Sequence, residues 1–412
     1  MSVVSELTLL IRQHQHDDVQ QLALQRNRFS HMSDADFRFF LQQIDGRQRT
    51  AHKLPSLAQL PLWWYPVRLS CEQCSSEATA RYKAQLMGHD TNLLIDLTAG
   101  YGVDCYFMAE HAAQAHYVER NAELCAIASH NFSLYRSHIQ VHNTTAEDFL
   151  TRSTGAAVLQ DSVRTTGAAA LQGSARSTGE AVLIYLDPAR RSQSGGKVFR
   201  IEDCEPNVLD LMPTLRASAD RIMIKFSPML DVTAALRAMG SDWDTHIVAV
   251  NNEVKEVLFY TGSGVIHAVN ICPTHTDTIR FSEAEERNAI VRMAGSIGAY
   301  LYEPNAAIIK AGAYRWISQQ YGLDKLDANT HLYTSDVCLS DFPGRVWKVL
   351  EVLTKHSTLD AQLKYSILSR NYPMTPDQLR KKFKLKDGDE RYIIAARHQG
   401  KPTLLLASRS IP

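Results

Sequence analysis

The stretch that decides the fold is Leu94-Ile-Asp-Leu-Thr-Ala-Gly-Tyr-Gly-Val-Asp104. An apolar run ends in an acidic residue, enters a glycine-rich turn and continues as a helix-like segment over 105–111. Glycine tolerates unusual backbone angles and lets the main chain approach a ligand closely. The stretch therefore predicts a strand, a ligand-binding turn and a helix, although an ordinary tight turn would produce a similar pattern.

Short apolar segments recur along the chain on both sides of this turn. The predicted strands are 92–97, 115–119, 139–142, 182–187, 221–226 and 246–250. Helix-like stretches such as 121–133 and 231–239 lie between them. Short apolar strands that alternate with helices indicate an α/β fold with a parallel sheet covered on both faces.

Acidic residues stand at the ends of the first three predicted strands. Glu119 is placed to bind both ribose hydroxyls of a nucleoside cofactor, and Asp148 follows the third strand, where a carboxylate can accept from an adenine amino group. A doubly wound sheet binds its ligand at this carboxyl edge. The third glycine of Gly-x-Gly-x-x-Gly is absent, which favours S-adenosylmethionine over NAD. The candidate cofactor-binding residues are Asp96, Thr98, Gly100, Gly102, Asp104, Glu119 and Asp148.

Several longer strings resemble a known family. The stretch 96–102 with Glu119 and Asp187-Pro-Ala-Arg190 resembles class I S-adenosylmethionine-dependent methyltransferases. A bacterial family of such enzymes with a THUMP-like C-terminal region is similar at 72–83, 187–191, 202–206, 225–228, 253–256, 302–305, 332–334 and 342–345. This resemblance covers most of residues 50–410. It implies a Rossmann-like fold and S-adenosylmethionine as cofactor, and it suggests RNA as the substrate.

The chain is predicted to have three parts. Residues 1–75 form an N-terminal helical region with a Pro/Trp-rich connector, residues 76–265 a Rossmann-like methyltransferase domain, and residues 266–412 an α+β module of ferredoxin/THUMP-like type. A 12-residue tandem repeat beginning at Arg152 interrupts the second part over about 152–180. Its short period and small residues indicate a surface loop, not a domain.

The candidate chemistry is centred on Asp187-Pro-Ala-Arg190, which follows the fourth strand. In the methyltransferase fold this strand ends beside the transferred methyl group, where a carboxylate can orient an acceptor N–H or O–H or take its proton. Arg190 can grip a phosphate bidentately. The neighbouring Arg191, Lys197 and Arg200 fit the same role or simply a solvated loop.

A second set of residues follows the order of the Lys-Asp-Lys-Glu tetrad of ribose 2′-O-methyltransferases. These residues are Lys83, Asp187, Lys225 and Glu256, with Glu253 as a competitor for the last place. Structural salt bridges would explain the same charges. The acceptor therefore stays open between a nitrogen and a ribose oxygen of RNA.

Cysteine positions argue against other chemistry. Methylation of a pyrimidine carbon needs a cysteine nucleophile, and the place after the fifth predicted strand reads Lys225-Phe-Ser-Pro. Cys204 has acidic neighbours that would raise its pKa. Cys71 and Cys74 lack a second pair, so no metal site is predicted.

Composition limits the remaining possibilities. Lys+Arg and Asp+Glu are 44 each, so the chain is not globally basic, although 379–386 carries five cations and Phe383 on a predicted helix that is placed to contact RNA. No apolar run suits a membrane span, and seven cysteines fit a cytoplasmic location. Methylation of a protein or small molecule, transfer of the aminocarboxypropyl group and a non-catalytic RNA-binding role remain alternatives.

Overall fold

The computed structural model describes residues 3–151, 181–190, 201–240 and 242–409. The chain divides into two compact units, one formed by Met1–Asp242 with Val257–Thr261 and the other by Trp243–Glu256 with Gly262–Pro412. The tandem repeat at about 152–180 lies outside the described residues, as do Arg191, Lys197 and Arg200. The three-part division at residues 75 and 265 stays a prediction.

The first unit begins with a helical region, as predicted. Its helices are α1 (Val3–His14), α2 (Val19–Leu24), α3 (Asp34–Thr50), α4 (Pro55–Gln59), α5 (Arg68–Gln73) and α6 (Glu77–Met87), with a 3-10 turn at Arg26–Phe29. Ser33 caps α3 by accepting from the Asp36 amide. Leu22, Phe29 and Phe40 form part of a local apolar core.

The aromatic connector between α4 and α5 packs into the core of the same unit. The Trp63 indole N–H donates to the Tyr101 hydroxyl at 2.7 Å. The Trp64 amide donates to Asn131 Oδ1 at 2.8 Å, and Asn131 Nδ2 donates back to the Trp64 carbonyl at 3.0 Å. These bonds join the N-terminal region to the segments that carry the glycine-rich turn.

The sheet of the first unit is parallel except at one edge. Its strands are β1 (Thr91–Asp96), β2 (Gln114–Glu119), β3 (Ile139–Asn143), β4 (Ala181–Leu186) and β7 (Arg221–Phe226), and the two-residue strands β5 (Ala189–Arg190) and β6 (Cys204–Glu205) pair separately. The order is β3–β2–β1–β4–β7. Residues 257–261 pair antiparallel with β7.

Helices connect these strands, as the alternating pattern predicted. They are α7 (Val103–Met108), α8 (Ala122–Tyr135), α9 (Ala146–Thr151), α10 (Val208–Ser218) and α11 (Val232–Met239), with 3-10 turns at Ala109–His111 and Ile201–Asp203. The strand order reverses between β1 and β4, since β2 and β3 lie on one side of β1 and β4 and β7 on the other. An open α/β sheet places its ligand at such a switch point. The predicted Rossmann-like fold is confirmed.

The second unit starts with strands β8 (Trp243–Val250), the first part of β9 (Glu253–Thr261), β10 (Val265–Ile271) and β11 (Thr276–Ser282). Strand β10 pairs parallel with β8 and antiparallel with β11. The β10–β11 connection is therefore a hairpin.

An eight-stranded sheet forms the rest of the second unit, which confirms the predicted α+β module. Its strands are β12 (Tyr300–Pro304), β13 (Asp324–Asp327), β14 (Thr330–Ser335), β15 (Gly344–Leu353), β16 (Lys364–Ser369), β17 (Lys386–Asp387), β18 (Arg391–His398) and β19 (Lys401–Arg409). Their order is β13–β14–β12–β15–β19–β18–β16–β17.

The helices of this unit are α12 (Glu283–Asn288), α13 (Ala306–Ala311), α14 (Trp316–Gln320) and α15 (Pro376–Phe383). The sequence pattern over 306–321 predicts one helix-like segment, but the structure divides this segment into two helices, so that prediction is wrong. Gly312 ends α13 in the left-handed conformation, with φ of 78°, so the chain turns before α14 begins. Among the described residues, no helix combines the length and apolar character needed to cross a membrane.

Candidate functional site

A cavity of about 640 Å³ opens at the switch point of the parallel sheet. The glycine-rich loop that follows β1 forms one side. Glu119 and Arg120 at the end of β2, residues 144–147 after β3, and Tyr185 and Asp187 at the end of β4 form the others. This volume is typical of a small-molecule or cofactor site.

The glycine-rich loop is held in one conformation by its neighbours. Gly102 has φ of 85° and begins α7, and a Cβ there would lie 2.8 Å from Phe132 Cζ and 3.1 Å from Tyr117 Cε2. The Tyr117 hydroxyl also donates to the Gly100 carbonyl at 2.5 Å. No larger residue fits at 102, so this glycine is required by both backbone angle and packing.

Glu119 is fixed at the end of β2 by two backbone amides. Its Oε2 accepts from Gly100 N at 3.0 Å and its Oε1 accepts from Asn121 N at 2.8 Å. Each carboxylate oxygen can accept more than one hydrogen bond, so capacity for ribose hydroxyls remains. Its predicted role in cofactor binding is compatible with this position.

Asp96 carries a buried oxygen that has no protein partner among the described residues. Its side chain has no solvent exposure; Oδ1 accepts from Thr98 N at 3.2 Å, whereas no described residue bonds to Oδ2. Burial, and then the nearby Asp104 carboxylate, raise the pKa of Asp96 well above its usual range. A buried, unsatisfied carboxylate oxygen on a cavity wall costs folding free energy unless a ligand supplies a donor. S-adenosylmethionine offers ammonium and hydroxyl donors, so the residues present fit this cofactor.

Asp104 lies at the centre of a buried charge network. Its Oδ2 accepts from Ser75 Oγ at 2.7 Å and from the Tyr185 hydroxyl at 2.8 Å. Lys83 Nζ is 3.2 Å from Oδ1, and Lys225 Nζ is 3.8 Å from Oδ2. Burial acts to raise the pKa of Asp104, but the two ammonium groups and two hydroxyls together outweigh it and hold this pKa below the usual value.

Lys225 connects this network to Asp187. Its Nζ lies 2.5 Å from Asp187 Oδ2 and 3.2 Å from Ser75 Oγ. The Asp187 side chain is 36% exposed and its amide donates to Thr98 Oγ1 at 2.5 Å. Asp187 is thus a carboxyl group held in a fixed position that faces the cavity, while Lys225 is largely covered.

The structure brings together three of the four residues of the predicted tetrad. Lys83, Asp187 and Lys225 belong to one network, but the Lys83 side chain has no solvent exposure, so it acts on the cavity through Asp104. Glu256 is buried in β9 and is assigned to the second unit, and its role stays a prediction. Glu253 is 74% exposed and pairs with Lys255.

Two other predicted residues have less definite positions. Asp148 is exposed at the start of α9 and lies outside the cavity lining, to which its neighbours Ala146 and Glu147 contribute. Arg190 pairs with Cys204 in the short β5–β6 ladder. Their roles stay predictions.

Sequence reasoning missed the groups that complete the network. Ser75 precedes α6 and is buried, and Tyr185 lies two residues before Asp187 on β4. Arg120 lines the cavity and pairs with Glu205 at 2.7 Å. Period-two alternation from Asp187 could have indicated Tyr185, whereas nothing in the local sequence indicates Ser75.

The cysteines near the site are not reactive thiolates. Burial first, and then Cys74, raise the pKa of Cys71 to about 12. Cys74 is also shifted upward, mainly by burial. Cys204 is buried as well.

Two domain-family models match the C-terminal part of the chain. Residues 300–343 match the model of a ferredoxin-like domain, and residues 344–409 match that of a THUMP domain-like region. An uncharacterized S-adenosylmethionine-dependent methyltransferase of Mycobacterium tuberculosis is 25% identical over 227 residues, which are 52% of this chain and 60% of that protein. The chain thus spans well under two thirds of that relative.

A solved structure matches nearly the entire chain. The crystal structure of a candidate methyltransferase from Porphyromonas gingivalis W83 is 28% identical, with a TM-score of 0.82 over 99% of this chain and 98% of that one. The first unit has the fold of class I S-adenosylmethionine-dependent methyltransferases. The C-terminal region of the chain is similar to ferredoxin-like and THUMP-like domains.

Proposed function

We propose that the protein transfers the methyl group of S-adenosylmethionine to a nitrogen or a ribose oxygen of RNA. The observation that carries this proposal is the juxtaposition of two acids in one cavity. Asp96 offers a buried, unsatisfied oxygen for the cofactor, and Asp187 offers an ion-paired, exposed carboxylate for the acceptor.

The cofactor supplies an electrophilic methyl group when it is bound. Asp96 accepts from a donor group of the cofactor, Glu119 accepts from the ribose, and the backbone at Gly100 and Gly102 permits close approach. We assign the adenine side of the cavity to the segment that follows β3, where Ala146 and Glu147 lie.

Asp187 orients the acceptor and takes its proton. Lys225 holds the Asp187 carboxylate in place, because its ammonium lies 2.5 Å away. Lys225 also contacts Asp104 and Ser75, so its ammonium group is surrounded by hydrogen-bond acceptors. We therefore assign it as a positioning residue and not as a base. Lys83 supports Asp104 from the buried side.

The burial of Lys83 bears on the choice of acceptor atom. In the tetrad chemistry a lysine contacts the attacking ribose hydroxyl, whereas here the Lys83 side chain has no exposure. Lys225, the other lysine of the tetrad, is 12% exposed and is engaged by Asp187 at 2.5 Å. Asp187 is therefore the tetrad residue that is most exposed to the cavity, and a carboxylate in this position suits a nitrogen that carries a hydrogen. We therefore place a ring or exocyclic nitrogen first and a ribose oxygen second.

The C-terminal module supports RNA as the substrate. Helix α15 buries Leu379 and leaves Lys381 and Lys382 exposed, and Lys384 and Lys386 follow it with exposed side chains. Arg380 is engaged by Asp387 at 2.7 Å, so four of the five predicted cations remain available for phosphate. A cytoplasmic location belongs to the same proposal.

The first experiment is calorimetric titration of the full-length protein with S-adenosylmethionine. Asp96→Ala and Glu119→Ala should each weaken binding by about tenfold or more, about 1.4 kcal/mol. Asp187→Ala should bind the cofactor with near-normal affinity. Asp210→Asn, an exposed acid on α10, is the matched control. Absence of binding to a folded, cofactor-free sample would refute the proposal.

The second experiment identifies the acceptor. RNA from cells that lack the protein is incubated with S-adenosylmethionine that carries a labelled methyl group, and nucleosides are separated and weighed by mass spectrometry. Labelled RNA with the wild type and none with Asp187→Ala would support the proposal. Label in protein or in small molecules, or a mass increase of an aminocarboxypropyl group, would replace it with the corresponding alternative.

A further inference from the structure

The β10–β11 hairpin of the second unit brings three potential metal ligands together. Cys272, His275 and Asp277 lie within the run Cys-Pro-Thr-His-Thr-Asp, and one ligand atom from each lies within 4.8 Å of the other two. The turn is closed by the Cys272 amide, which donates to the His275 carbonyl at 2.8 Å. No motif of the methyltransferase site includes these residues.

His275 and Asp277 each have one of their two polar side-chain atoms already engaged. His275 Nδ1 is 3.1 Å from Thr274 Oγ1, and if Nδ1 carries the proton it donates there and leaves the Nε2 lone pair free. That Nε2 lies 3.6 Å from Asp277 Oδ1. The Oδ2 atom of Asp277 accepts from Asn270 at 3.3 Å. The atoms that face each other are therefore those left for a metal.

Asn270 is a buried residue that hydrogen-bonds to two of the three potential ligands. It is 4% exposed, and its Nδ2 donates to both Cys272 Sγ and Asp277 Oδ2 at 3.3 Å. The Asn252 amide donates to Asn270 Oδ1 at 2.8 Å, which fixes the orientation of the side-chain amide. Metal ligands are usually oriented by such outer hydrogen bonds, which also stabilise a thiolate.

We propose that Cys272 Sγ, His275 Nε2 and Asp277 Oδ1 form a binding site for a zinc-like divalent transition-metal ion. A sulfur, an imidazole nitrogen and a carboxylate oxygen suit zinc, with water at the fourth position. Tetrahedral zinc needs these atoms about 3–4 Å apart. The ligand atoms must therefore move closer together when a metal binds. His275 is 60% exposed and Asp277 is 23% exposed, so their side chains have room to move.

The proposal does not depend on the methyltransferase activity. Its alternative is a protonated His275 that pairs with Asp277 without metal, which the same geometry also permits. The two differ in their response to a metal ion and in their need for Cys272, because the ion pair does not use the thiol.

The test is a titration of the full-length, reduced, metal-free chain without a histidine tag, using Co²⁺ as the spectroscopic probe. A sulfur-to-cobalt charge-transfer band that saturates at one equivalent per chain, and that Zn²⁺ displaces, is the expected result. Cys272→Ser should abolish the band. His275→Gln, on an exposed turn, should weaken binding by about tenfold or more, and Asn270→Ala by about 10–100-fold.

The matched control is Cys338→Ser, because Cys338 is an exposed cysteine of the same unit that lies outside the three-residue group. This variant should bind Co²⁺ as the wild type does. Circular dichroism confirms that each variant is folded, and if Cys272→Ser is not, His275→Gln decides. A wild type without a saturable band, an unchanged band in Cys272→Ser, or unchanged affinity in His275→Gln overturns the proposal.

Discussion

Replacement of Asp104 by asparagine is expected to destabilise the folded protein strongly. The substitution preserves shape and an acceptor oxygen for Ser75 and Tyr185, but it removes the charge that faces Lys83 at 3.2 Å. The Lys83 side chain has no solvent exposure, so its ammonium would lose a buried ion pair. Breaking a buried pair by removing one partner costs about 3–5 kcal/mol.

A surface pair provides the matched control for this magnitude. Arg68 and Glu72 are 62% and 49% exposed, so water screens the attraction between them. Glu72→Gln should therefore leave the free energy of unfolding nearly unchanged. The large difference expected between two Asp/Glu-to-amide substitutions arises from burial alone.

The assay is urea unfolding of the wild type, Asp104→Asn, Glu72→Gln and the double variant Lys83→Met/Asp104→Asn. The double variant removes both buried charges at this contact and should recover part of the loss, because methionine needs no counter-charge. If Asp104→Asn costs no more than Glu72→Gln, the network is not the strong electrostatic unit that its geometry indicates, and the reasoning is refuted.

Three further substitutions test the glycine-rich loop and the end of β1. Gly102→Ala should lower the thermal unfolding temperature more than Gly100→Ala. Both residues have positive φ, which costs a residue with a Cβ about 1–2 kcal/mol, but only at 102 would the Cβ also lie 2.8 Å from Phe132. Equal losses of stability would contradict this packing. Asp96→Asn should stabilise the protein and weaken S-adenosylmethionine binding. Because burial raises the pKa of Asp96, the native state binds a proton that the unfolded state has lost above about pH 3.9. The stability gain should therefore be absent below that pH and grow as pH rises through the native pKa, and a pH-independent gain would exclude this cause.

The part of the fold that local pattern determines was predictable from the sequence. The strand Arg221–Phe226 has the predicted bounds, because a short, continuous apolar run in a βα alternation has few other solutions. The helix over 306–321 was mispredicted, since the apolar spacing continues through Gly312 and only its left-handed conformation ends the helix. Local pattern does not report which glycine adopts that conformation.

The candidate site was predictable only in part. Asp96, Glu119 and Asp187 come to one cavity because parallel strands end at a common edge. The contacts of Asp104 were not predictable, because Ser75 and Lys83 reach it from a helical region that precedes the sheet. Such long-range side-chain contacts leave no periodic signal in a single sequence.

The aromatic connector has a consequence for how much of the chain can fold alone. Trp63 and Tyr65 are buried in the same core as Tyr101 and Phe132, and Trp64 completes the hydrogen bonding of Asn131. A polypeptide that began at Ser76 would retain every strand of the parallel sheet but would expose this apolar surface and lack Ser75. A unit that keeps this core intact therefore starts before the connector, because the connector cannot be removed without exposing the core.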